Sequence, residues 1–410
     1  MNHAKRRSAA RAVVFVALLL LPFALLSSTS AHEPITTKVR FNREVVRILE
    51  RSCLGCHRPG GFAPMSLATY EEARPWAKAI KEEMLEKRMP IWHAVRGYGD
   101  FRNAPLLTQR EIDLVVNWVE GGAPKGDDKD LPAGLLYSND WPLGKPDLVL
   151  KPDSPREVAS DADESFTLTL PAGLKEDRWI EAIDLKPGNY SVVHCATLYV
   201  ETGGNNEKRE GSSAQVLGTY VPAQRMDALP KGAARFLPAG SRIVVKAHYV
   251  GAGEKTADLS EVGLYFAKTP PRKQVREVAI TNPTALIPAG VKQHRVEASF
   301  IAQEDMHAVA VRPRSHPLIV SLQAIAYRTD GSREVLIWTR GYRYDWQQTY
   351  YYKREISIPK GTRVEVIAYF DNSAENRLNP ADPPAQARWA DLTSDPLCAL
   401  LVATPRAGQD

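Results

Sequence analysis

The segment Cys53-Leu54-Gly55-Cys56-His57 constrains the chain more than any other feature of its sequence. Two cysteines three positions apart lie about one helical turn apart, and a histidine follows the second directly. This C-x-x-C-H pattern predicts one covalent haem c, with Cys53 and Cys56 forming the thioether bonds and His57 binding the iron. A zinc site would need a second ligand pair, yet the next cysteine is Cys195. A redox dithiol would have no use for the histidine.

Helix signals surround this motif. An apolar helical repeat precedes it and two Thr-x-x-Glu capping-box patterns follow it: Phe41, Val45, Ile48 and Leu49, then Thr69 with Glu72, then Thr108 with Glu111. A helix at each end, with the motif after the first helix, resembles the arrangement of class I cytochromes c. Residues 35–127 are therefore expected to form a small all-α cytochrome c domain.

The sixth iron ligand is expected between the last two helices. Met89 lies there, just before a proline, and a thioether ligand is usual for this type of haem. His93 is the alternative and would give a bis-histidine haem of lower potential. Met65 and Met84 are expected to pack in the core instead. A six-coordinate iron has no free position for oxygen, which favours electron transfer over chemistry at the haem.

The amino terminus has the pattern of a secretory signal peptide. Four basic residues precede an apolar run over 12–26, and small residues follow over 27–31. Residues 1–31 are thus predicted to be cleaved from a bacterial periplasmic or secreted protein. The apolar run is short for a membrane span, although an uncleaved anchor stays open as an alternative.

The charge of the chain gives no sign of a nucleic-acid partner. The sequence has 53 Lys and Arg against 48 Asp and Glu, and the predicted cleavage removes four basic residues, leaving 49 against 48. No basic stripe occurs elsewhere in the sequence. The mature protein is expected to be soluble, with any membrane association made through a partner complex and with an unidentified redox protein as its partner.

The rest of the sequence predicts β-structure. Residues 128–160 are rich in Pro, Gly and Asp and are expected to form a linker. Two all-β sandwich domains are predicted beyond it, over 161–275 and 276–405. The β-branched or aromatic runs that carry this prediction are Phe166–Leu170, Trp179–Asp184, Val192–Val200, Ile243–Val250, Val262–Phe266, Ile319–Arg328, Thr349–Ile358 and Arg363–Asp371.

The same region resembles a known family over most of 145–403. The residues that carry the resemblance are Arg178-Trp179-Ile180, Pro187-Gly188-Asn189, Val193-His194-Cys195, Leu237–Ser241, His248-Tyr249, Val262–Phe266, Asp330-Gly331, Trp346-Gln347, Tyr350, Asp371-Asn372-Ser373, Asn376, Asn379-Pro380 and Arg388-Trp389. They are similar to the copper type II ascorbate-dependent monooxygenases, typified by peptidylglycine hydroxylating monooxygenase and dopamine β-monooxygenase. With the haem segment in front, the chain resembles a group of bacterial secreted cytochrome fusions.

The resemblance implies that the two all-β sandwich domains are jelly-roll-like and lie side by side, with one copper ion in each facing across a cleft. The first copper of the family uses two adjacent histidines and a third from a His-Tyr strand. Here the adjacent pair reads His194-Cys195, and His248 is retained, so His194, Cys195 and His248 form a candidate copper set. The alternative is that His194 is a hydrogen-bonded core histidine and Cys195 a packed thiol.

The second copper of the family uses His-x-His and a distant methionine. In this sequence Arg314 replaces the first histidine, His316 remains as a remnant, and Leu397 stands at the methionine position. A guanidinium group is always charged and has no lone pair to donate, and leucine cannot bind a metal. The second site is therefore expected not to bind copper.

The remaining cysteines and histidines leave alternatives open. Cys195 and Cys398 lie at or beside lost ligand positions of domains that face each other in the family, which permits a disulfide between them; two free thiols are the alternative. His294 and His307 have no ligand spacing and are expected on the surface or in loops.

Taken together, the sequence favours an electron-transfer protein over an active copper monooxygenase. The expected function is an exported cytochrome that carries single electrons, with the β-module as scaffold or docking surface in a redox assembly. The first alternative is a haem-fed copper monooxygenase acting on a small molecule or peptide, with a ligand set built from His316 and either His294 or His307. The second alternative keeps one copper at the first site as a redox or storage centre.

Overall fold

The computed structural model describes residues 37–134, 139–201, 215–224, 228–313, 316–388 and 398–405. The predicted signal peptide, residues 1–31, lies outside these residues, as do Arg314 and Leu397 of the second predicted copper site. In the part of the chain that is described, no helix is both long enough and apolar enough to cross a membrane.

The amino-terminal part contains short helices around the C-x-x-C-H motif. They are a π-helical turn (Phe41–Val45), α1 (Val46–Ser52), α2 (Tyr70–Ala73), a 3₁₀ turn (Arg74–Trp76), α3 (Ala77–Leu85), α4 (Gln109–Glu120) and a second 3₁₀ turn (Asp128–Asp130). The turn Arg74–Trp76 joins α2 directly to α3, and the π-helical turn continues directly into α1. These helices pack around Leu49 and Trp118, neither of which is exposed to solvent.

Both predicted capping boxes are present. The Thr69 hydroxyl accepts a hydrogen bond from the amide of Glu72 at the start of α2, and Thr108 and Glu111 make the same exchange at the start of α4. These contacts satisfy amides that the first turn of a helix leaves without a partner.

The first β-sandwich follows the helices. Its strands are β1 (Leu148–Leu150), β2 (Arg156–Val158), β3 (Asp163–Pro171), β4 (Arg178–Lys186), β5 (Val193–Glu201), β6 (Gln215–Tyr220), β7 (Ala233–Leu237), β8 (Arg242–Val250), β9 (Thr256–Asp258) and β10 (Glu261–Phe266). A four-stranded sheet in the order β3-β8-β5-β6 packs on β1-β10-β4-β7. Buried aliphatic side chains from both layers, such as Leu198 and Leu264, form one core.

The second β-sandwich ends the chain. Its strands are β11 (Lys273–Ile280), β12 (Leu286–Ile287), β13 (His294–Ile301), β14 (Met306–Pro313), β15 (Ile319–Tyr327), β16 (Arg333–Arg340), β17 (Tyr350–Ile358), β18 (Arg363–Phe370), β19 (Ala387–Arg388) and β20 (Cys398–Pro405). The sheet β13-β18-β15-β16 packs on β11-β20-β14-β17.

One sheet runs through both sandwiches. Its order is β1-β10-β4-β7-β11-β20-β14-β17, and the two halves meet where β7 and β11 pair in parallel, Ala233 with Lys273 and Ala234 with Gln274. Strands β1 and β2 lie within the predicted linker 128–160, and β11 runs through the predicted boundary between 275 and 276.

The predicted small all-α cytochrome c domain is wrong, although the sandwich part of the predicted fold class is consistent with the structure. The part of the chain that the structure describes is mostly β-structure, and its helices are short. The stretch 86–108 between α3 and α4 is not helical, and it packs on the second sandwich instead of closing a helical domain. Ala94 forms a β-bridge with Thr339 and Phe101 forms one with Tyr352. Both Ala94 and Phe101 belong to the core of the second sandwich.

Candidate functional site

The two cysteines of the motif lie at the end of α1. Cys53 caps this helix, and its amide donates to the carbonyl of Leu49 at 2.7 Å. The amide of His57 donates in turn to the carbonyl of Cys53 at 2.9 Å, so both thiols and the imidazole are held within one turn of chain. Loss of solvent around the sulfur atoms raises the pKa of Cys53 and of Cys56 to about 12, which keeps both groups as thiols.

The ring of His57 is oriented by the backbone. Its Nδ1 lies 3.2 Å from the carbonyl oxygen of Met65. A carbonyl only accepts hydrogen bonds, so Nδ1 carries the proton and Nε2 of the neutral ring keeps its lone pair. Burial lowers the pKa of His57 and favours this neutral form. Histidines that bind metals usually donate their other ring N–H to such an acceptor, so the residues present fit a haem iron at Nε2.

The two predicted sixth ligands have different surroundings. Met89 follows the end of α3 and is 37% exposed. His93 is buried against the second sandwich, with its ring 5.2 Å from that of Tyr342 and its Nδ1 without a hydrogen-bond partner among the described residues. Burial, followed by the charge of Arg343, lowers the pKa of His93 to about 4. Met89 is thus accessible, whereas His93 is part of the packing of another domain.

The motif segment lies on the first sandwich. A Cβ atom on Gly55 would come within 2.3 Å of the Cβ of Ala223, so glycine is needed for this close approach. The guanidinium group of Arg58 lies over the ring of Tyr190 at 4.8 Å. Five residues after His57, the ring of Phe62 stacks on the imidazole of His194.

His194 and His248 form a close pair on the first sandwich. Their Nδ1 atoms lie 3.2 Å apart. His194 lies at a bulge in the pairing of β5 with β8, where Val193 pairs with Tyr249 but Cys195 pairs with His248. Such a bulge redirects a side chain, and here it turns His194 toward its partner histidine. The two-residue alternation of a regular strand is therefore interrupted at His194.

The geometry of this pair suits two ligands of one metal ion. Two imidazole nitrogens, each about 2.0–2.1 Å from a tetrahedral metal, lie about 3.3 Å apart. The Nε2 of His248 donates to the carboxylate of Asp163 at 2.8 Å, which leaves its Nδ1 lone pair facing His194. A hydrogen bond from Nδ1 of His194 to Nδ1 of His248 gives the same distance in the absence of a metal.

The third predicted ligand of this site is less favourable. Burial raises the pKa of the Cys195 thiol to about 12, whereas a thiolate is needed to bind a metal. Asp345 of the second sandwich acts electrostatically on both His194 and Cys195, and Trp346 lies 6.0 Å from His194. Within the described ranges no group of three His, Cys, Asp or Glu side chains is arranged to hold a metal. The structure thus brings together the two histidines alone.

Of the second predicted copper site, His316 lies among the described residues, whereas Arg314 and Leu397 do not. His316 is buried, and burial lowers its pKa to about 4. Its Nδ1 accepts a hydrogen bond from the amide of Leu318 at 3.2 Å, so that lone pair is already in use. His307 lies on β14 and His294 on β13, in opposite sheets of the second sandwich.

The four cysteines, all of them described, are free thiols in the structure. Cys195 lies on β5 in the first sandwich, whereas Cys398 begins β20 in the second and is fully buried. Burial raises the pKa of Cys398 well above its usual range. A disulfide between Cys195 and Cys398 is not formed here.

The sequence did not indicate three residues of this region. Phe62, Asp163 and Asp345 reach the histidine pair from three parts of the chain: the motif loop, β3 and the second sandwich. Asp163 is two positions along β3 from Ser165, the residue that pairs with His248. Its position near His248 follows from the register of β3 with β8, which no local sequence motif predicts.

Comparisons with known proteins leave the family of the chain open. No protein-family model and no curated protein matches it. A solved allantoicase structure aligns with 51% of this chain and 79% of its own at 10% identity and a TM-score of 0.16. A Paenibacillus xanthan lyase aligns with 62% of this chain and 25% of its own at 8% identity and a TM-score of 0.17. A structure of infectious bursal disease virus Gx strain aligns with 64% of this chain and 73% of its own at 9% identity and a TM-score of 0.19. TM-scores this low carry no argument, so the resemblance to the copper monooxygenases stays a prediction.

Proposed function

We propose that this chain is an exported c-type haem protein that carries single electrons, with its two sandwiches serving as scaffold or docking surface in a periplasmic or extracellular redox assembly. The observation that carries the proposal is the state of His57. Its Nδ1 is held by the Met65 carbonyl, and its Nε2 lone pair is available directly after two thiols with the spacing of haem attachment.

Each residue has a distinct role in this proposal. Cys53 and Cys56 would hold the porphyrin through thioether bonds, and His57 would bind the iron from one side. Met89 is the proposed ligand on the other side, with His93 as the alternative. Bound there, the haem would supply a one-electron redox centre. An iron with both axial positions filled by protein groups is suited to electron transfer with an external redox protein rather than to oxygen chemistry.

The test is haem quantitation on protein made in a bacterial host that attaches c-type haem. The expected result is one covalent haem per chain, measured by pyridine haemochrome absorbance and by intact mass. The double variant Cys53→Ala/Cys56→Ala should carry none, while Cys398→Ala, which removes a thiol outside the motif, should carry as much as the parent. A folded parent protein without haem would refute the proposal.

The sixth ligand has its own test. Met89→Ala should lower the reduction potential of the haem and change the axial ligand field seen by electron paramagnetic resonance, because a thioether ligand raises the potential. His93→Ala should leave the haem spectrum unchanged. A haem spectrum that changes in His93→Ala but not in Met89→Ala would assign His93 as the ligand.

A second candidate function is one copper ion at His194 and His248, as a redox or storage centre. The 3.2 Å between the two Nδ1 atoms and the hydrogen bond from His248 to Asp163 support it. Metal analysis should find one copper per chain, and His248→Ala should lose it. Two coppers per chain with substrate-dependent oxygen consumption would favour the monooxygenase alternative instead.

A further inference from the structure

Arg235 is a buried cation at the place where the two sandwiches meet. It lies on β7 directly after Ala234, which pairs with β11, and it is 4% exposed. Its Nη1 donates to the carbonyl of Val216 at 3.1 Å and to that of Leu217. Both acceptors are neutral groups on β6, at the edge of its sheet. These bonds hold the side chain in place but do not compensate its charge.

The charged groups beside Arg235 do not cancel one another. Arg312 and Glu277 both act on it electrostatically, yet Glu277 already accepts from Arg312 at 2.7 Å. Two guanidinium groups therefore share one carboxylate, which leaves a net charge of +1 on the three side chains. Burial, followed by the charge of Arg312, lowers the pKa of Arg235 to about 10, and the group stays protonated at neutral pH.

The rest of this guanidinium group faces a small cavity. Arg235 lines it together with Ile180 and Ile183 of β4, Leu217 of β6 and Tyr351 of β17. The cavity volume is about 10 Å³, close to the least that one water-sized occupant requires. Since the bonds to β6 use Nη1, Nε and Nη2 remain as donors for an occupant.

The rim of the cavity does not supply the missing negative charge. Glu181 lines it, but this side chain is exposed, so water and salt screen its charge. Arg102 lies over the ring of Tyr351 at 5.3 Å and donates to the carbonyl of Ala228 at 2.6 Å, which adds a positive charge near the rim. The electrostatics of the cavity therefore favour an anion.

We propose that this cavity binds one monovalent anion of about the size of chloride on the guanidinium group of Arg235, with Tyr351 of the second sandwich as part of its wall. One such ion balances the net charge of Arg235, Arg312 and Glu277. The volume excludes larger anions such as gluconate. Because the walls come from both sandwiches, the bound ion stabilises their contact. The proposal is independent of haem or copper binding.

The test is urea unfolding of the full chain at constant ionic strength, with sodium gluconate replaced stepwise by sodium chloride. An ion that binds only the folded chain lowers the unfolding equilibrium constant, by about tenfold when chloride reaches about ten times its Kd. The unfolding midpoint should therefore rise with chloride concentration. Crystals grown in sodium bromide should show one anomalous scattering peak within hydrogen-bonding distance of the Arg235 guanidinium group.

Two cavity variants and one control separate this site from a general salt effect. Arg235→Met removes the charge, and Leu229→Phe places a larger side chain on the cavity wall while Arg235 is kept. Both should lose the chloride dependence, and Leu229→Phe keeps the test decisive if Arg235→Met does not fold. Arg276→Met, the same change at an exposed arginine of β11, should respond to chloride as the parent does.

Three results would overturn the proposal. The first is a parent chain whose stability does not rise with chloride at constant ionic strength. The second is a chloride response that persists in either cavity variant. The third is a cavity that holds only water in the bromide crystals.

Discussion

Asp184 is a carboxyl group enclosed in the first sandwich. It lies on β4, is 5% exposed, and accepts a hydrogen bond from the amide of Leu185 at 2.9 Å. Its charge acts on the ionisable side chains of Tyr190, Tyr220 and Tyr265. Burial raises the pKa of Asp184 from 3.8 to about 7, against which the Leu185 amide acts only in part.

This shift makes stability depend on pH. Between about pH 4 and pH 7 the folded chain keeps a proton on Asp184 that the unfolded chain releases, so stability falls as the pH rises through this range. A pKa difference of about three units between the folded and the unfolded chain corresponds to roughly 4 kcal/mol of unfolding free energy. Asp184→Asn keeps the oxygen that accepts from Leu185 and removes the charge.

We expect Asp184→Asn to be more stable than the parent at pH 8 by up to about 4 kcal/mol, and equal to it near pH 4. Urea unfolding across this pH range measures the difference. Asp153→Asn, at an exposed position, is the control and should follow the parent at every pH. Parallel pH profiles for Asp184→Asn and the parent would contradict the expectation.

Arg312 is a second charged residue in the interior, on β14. It is 0% exposed, and its Nη1 donates to Glu277 at 2.7 Å, while its Nε donates to the Thr349 hydroxyl at 2.9 Å. Thr349 lies 3.1 Å, hydroxyl to hydroxyl, from Thr219 of the first sandwich. Arg312 therefore supports the contact between the sandwiches.

Arg312→Met should destabilise the chain by up to about 3 kcal/mol, because Glu277, whose side chain is 15% exposed, would keep a largely buried charge without its partner. The double variant Arg312→Met/Glu277→Met should regain most of that loss, since neither charge remains. Chemical denaturation of Arg312→Met, Glu277→Met and the double variant measures the coupling energy between the two residues. Equal losses in the Arg312→Met and double variants would show that the ion pair is not the cause.

At the level of elements, local patterns were a good guide to where helices begin and to some of the larger strands. The capping boxes at Thr69 and Thr108 are confirmed, because such a box depends on four adjacent residues only. Each of the eight runs named from composition overlaps an observed strand, but the eight-residue strands β11, β13, β14, β16 and β20 and short strands such as β2 and β9 were not predicted. The bulge at His194 could not be predicted, because it depends on how β5 pairs with a strand some fifty residues away.

The capping box of α4 gives a prediction at this scale. Thr108→Ala removes the hydroxyl that accepts from the Glu111 amide and should cost about 1 kcal/mol. Glu111 also pairs with Arg51 of α1 at 2.6 Å, so loss of the cap should loosen both helices. Hydrogen exchange should speed up in α4 and α1, while Thr108→Ser should exchange like the parent. Faster exchange confined to the sandwiches would contradict this account.

At the level of the whole molecule, the stretch 86–108 unites parts that the sequence assigned to separate domains. It was expected to close a helical domain, yet Phe101 lies between Tyr350 and Tyr352, with ring centroids 5.3 Å from each. Contacts between residues some 250 positions apart leave no local pattern, so apolar residues here could be assigned to either core. That ambiguity accounts for the wrong prediction of an all-α domain.

Phe101→Ala should therefore destabilise the second sandwich by about 3–5 kcal/mol, the usual loss for a buried phenylalanine. Leu106→Ala, in the same stretch but 40% exposed, is the control and should change little. Hydrogen exchange of β16 and β17 distinguishes the expected effect from one limited to the helices. Unchanged exchange in these two strands would contradict it.

The parallel pairing of β7 with β11 has a consequence for any attempt to divide the protein. If the chain were cut between them, Lys273 and Gln274 at the start of β11 and Ala233 and Ala234 at the start of β7 would lose their strand partners. An uncovered edge of this kind pairs readily with other chains. Each half made alone would thus present a short unpaired strand end to other chains, at the point where the continuous sheet is divided.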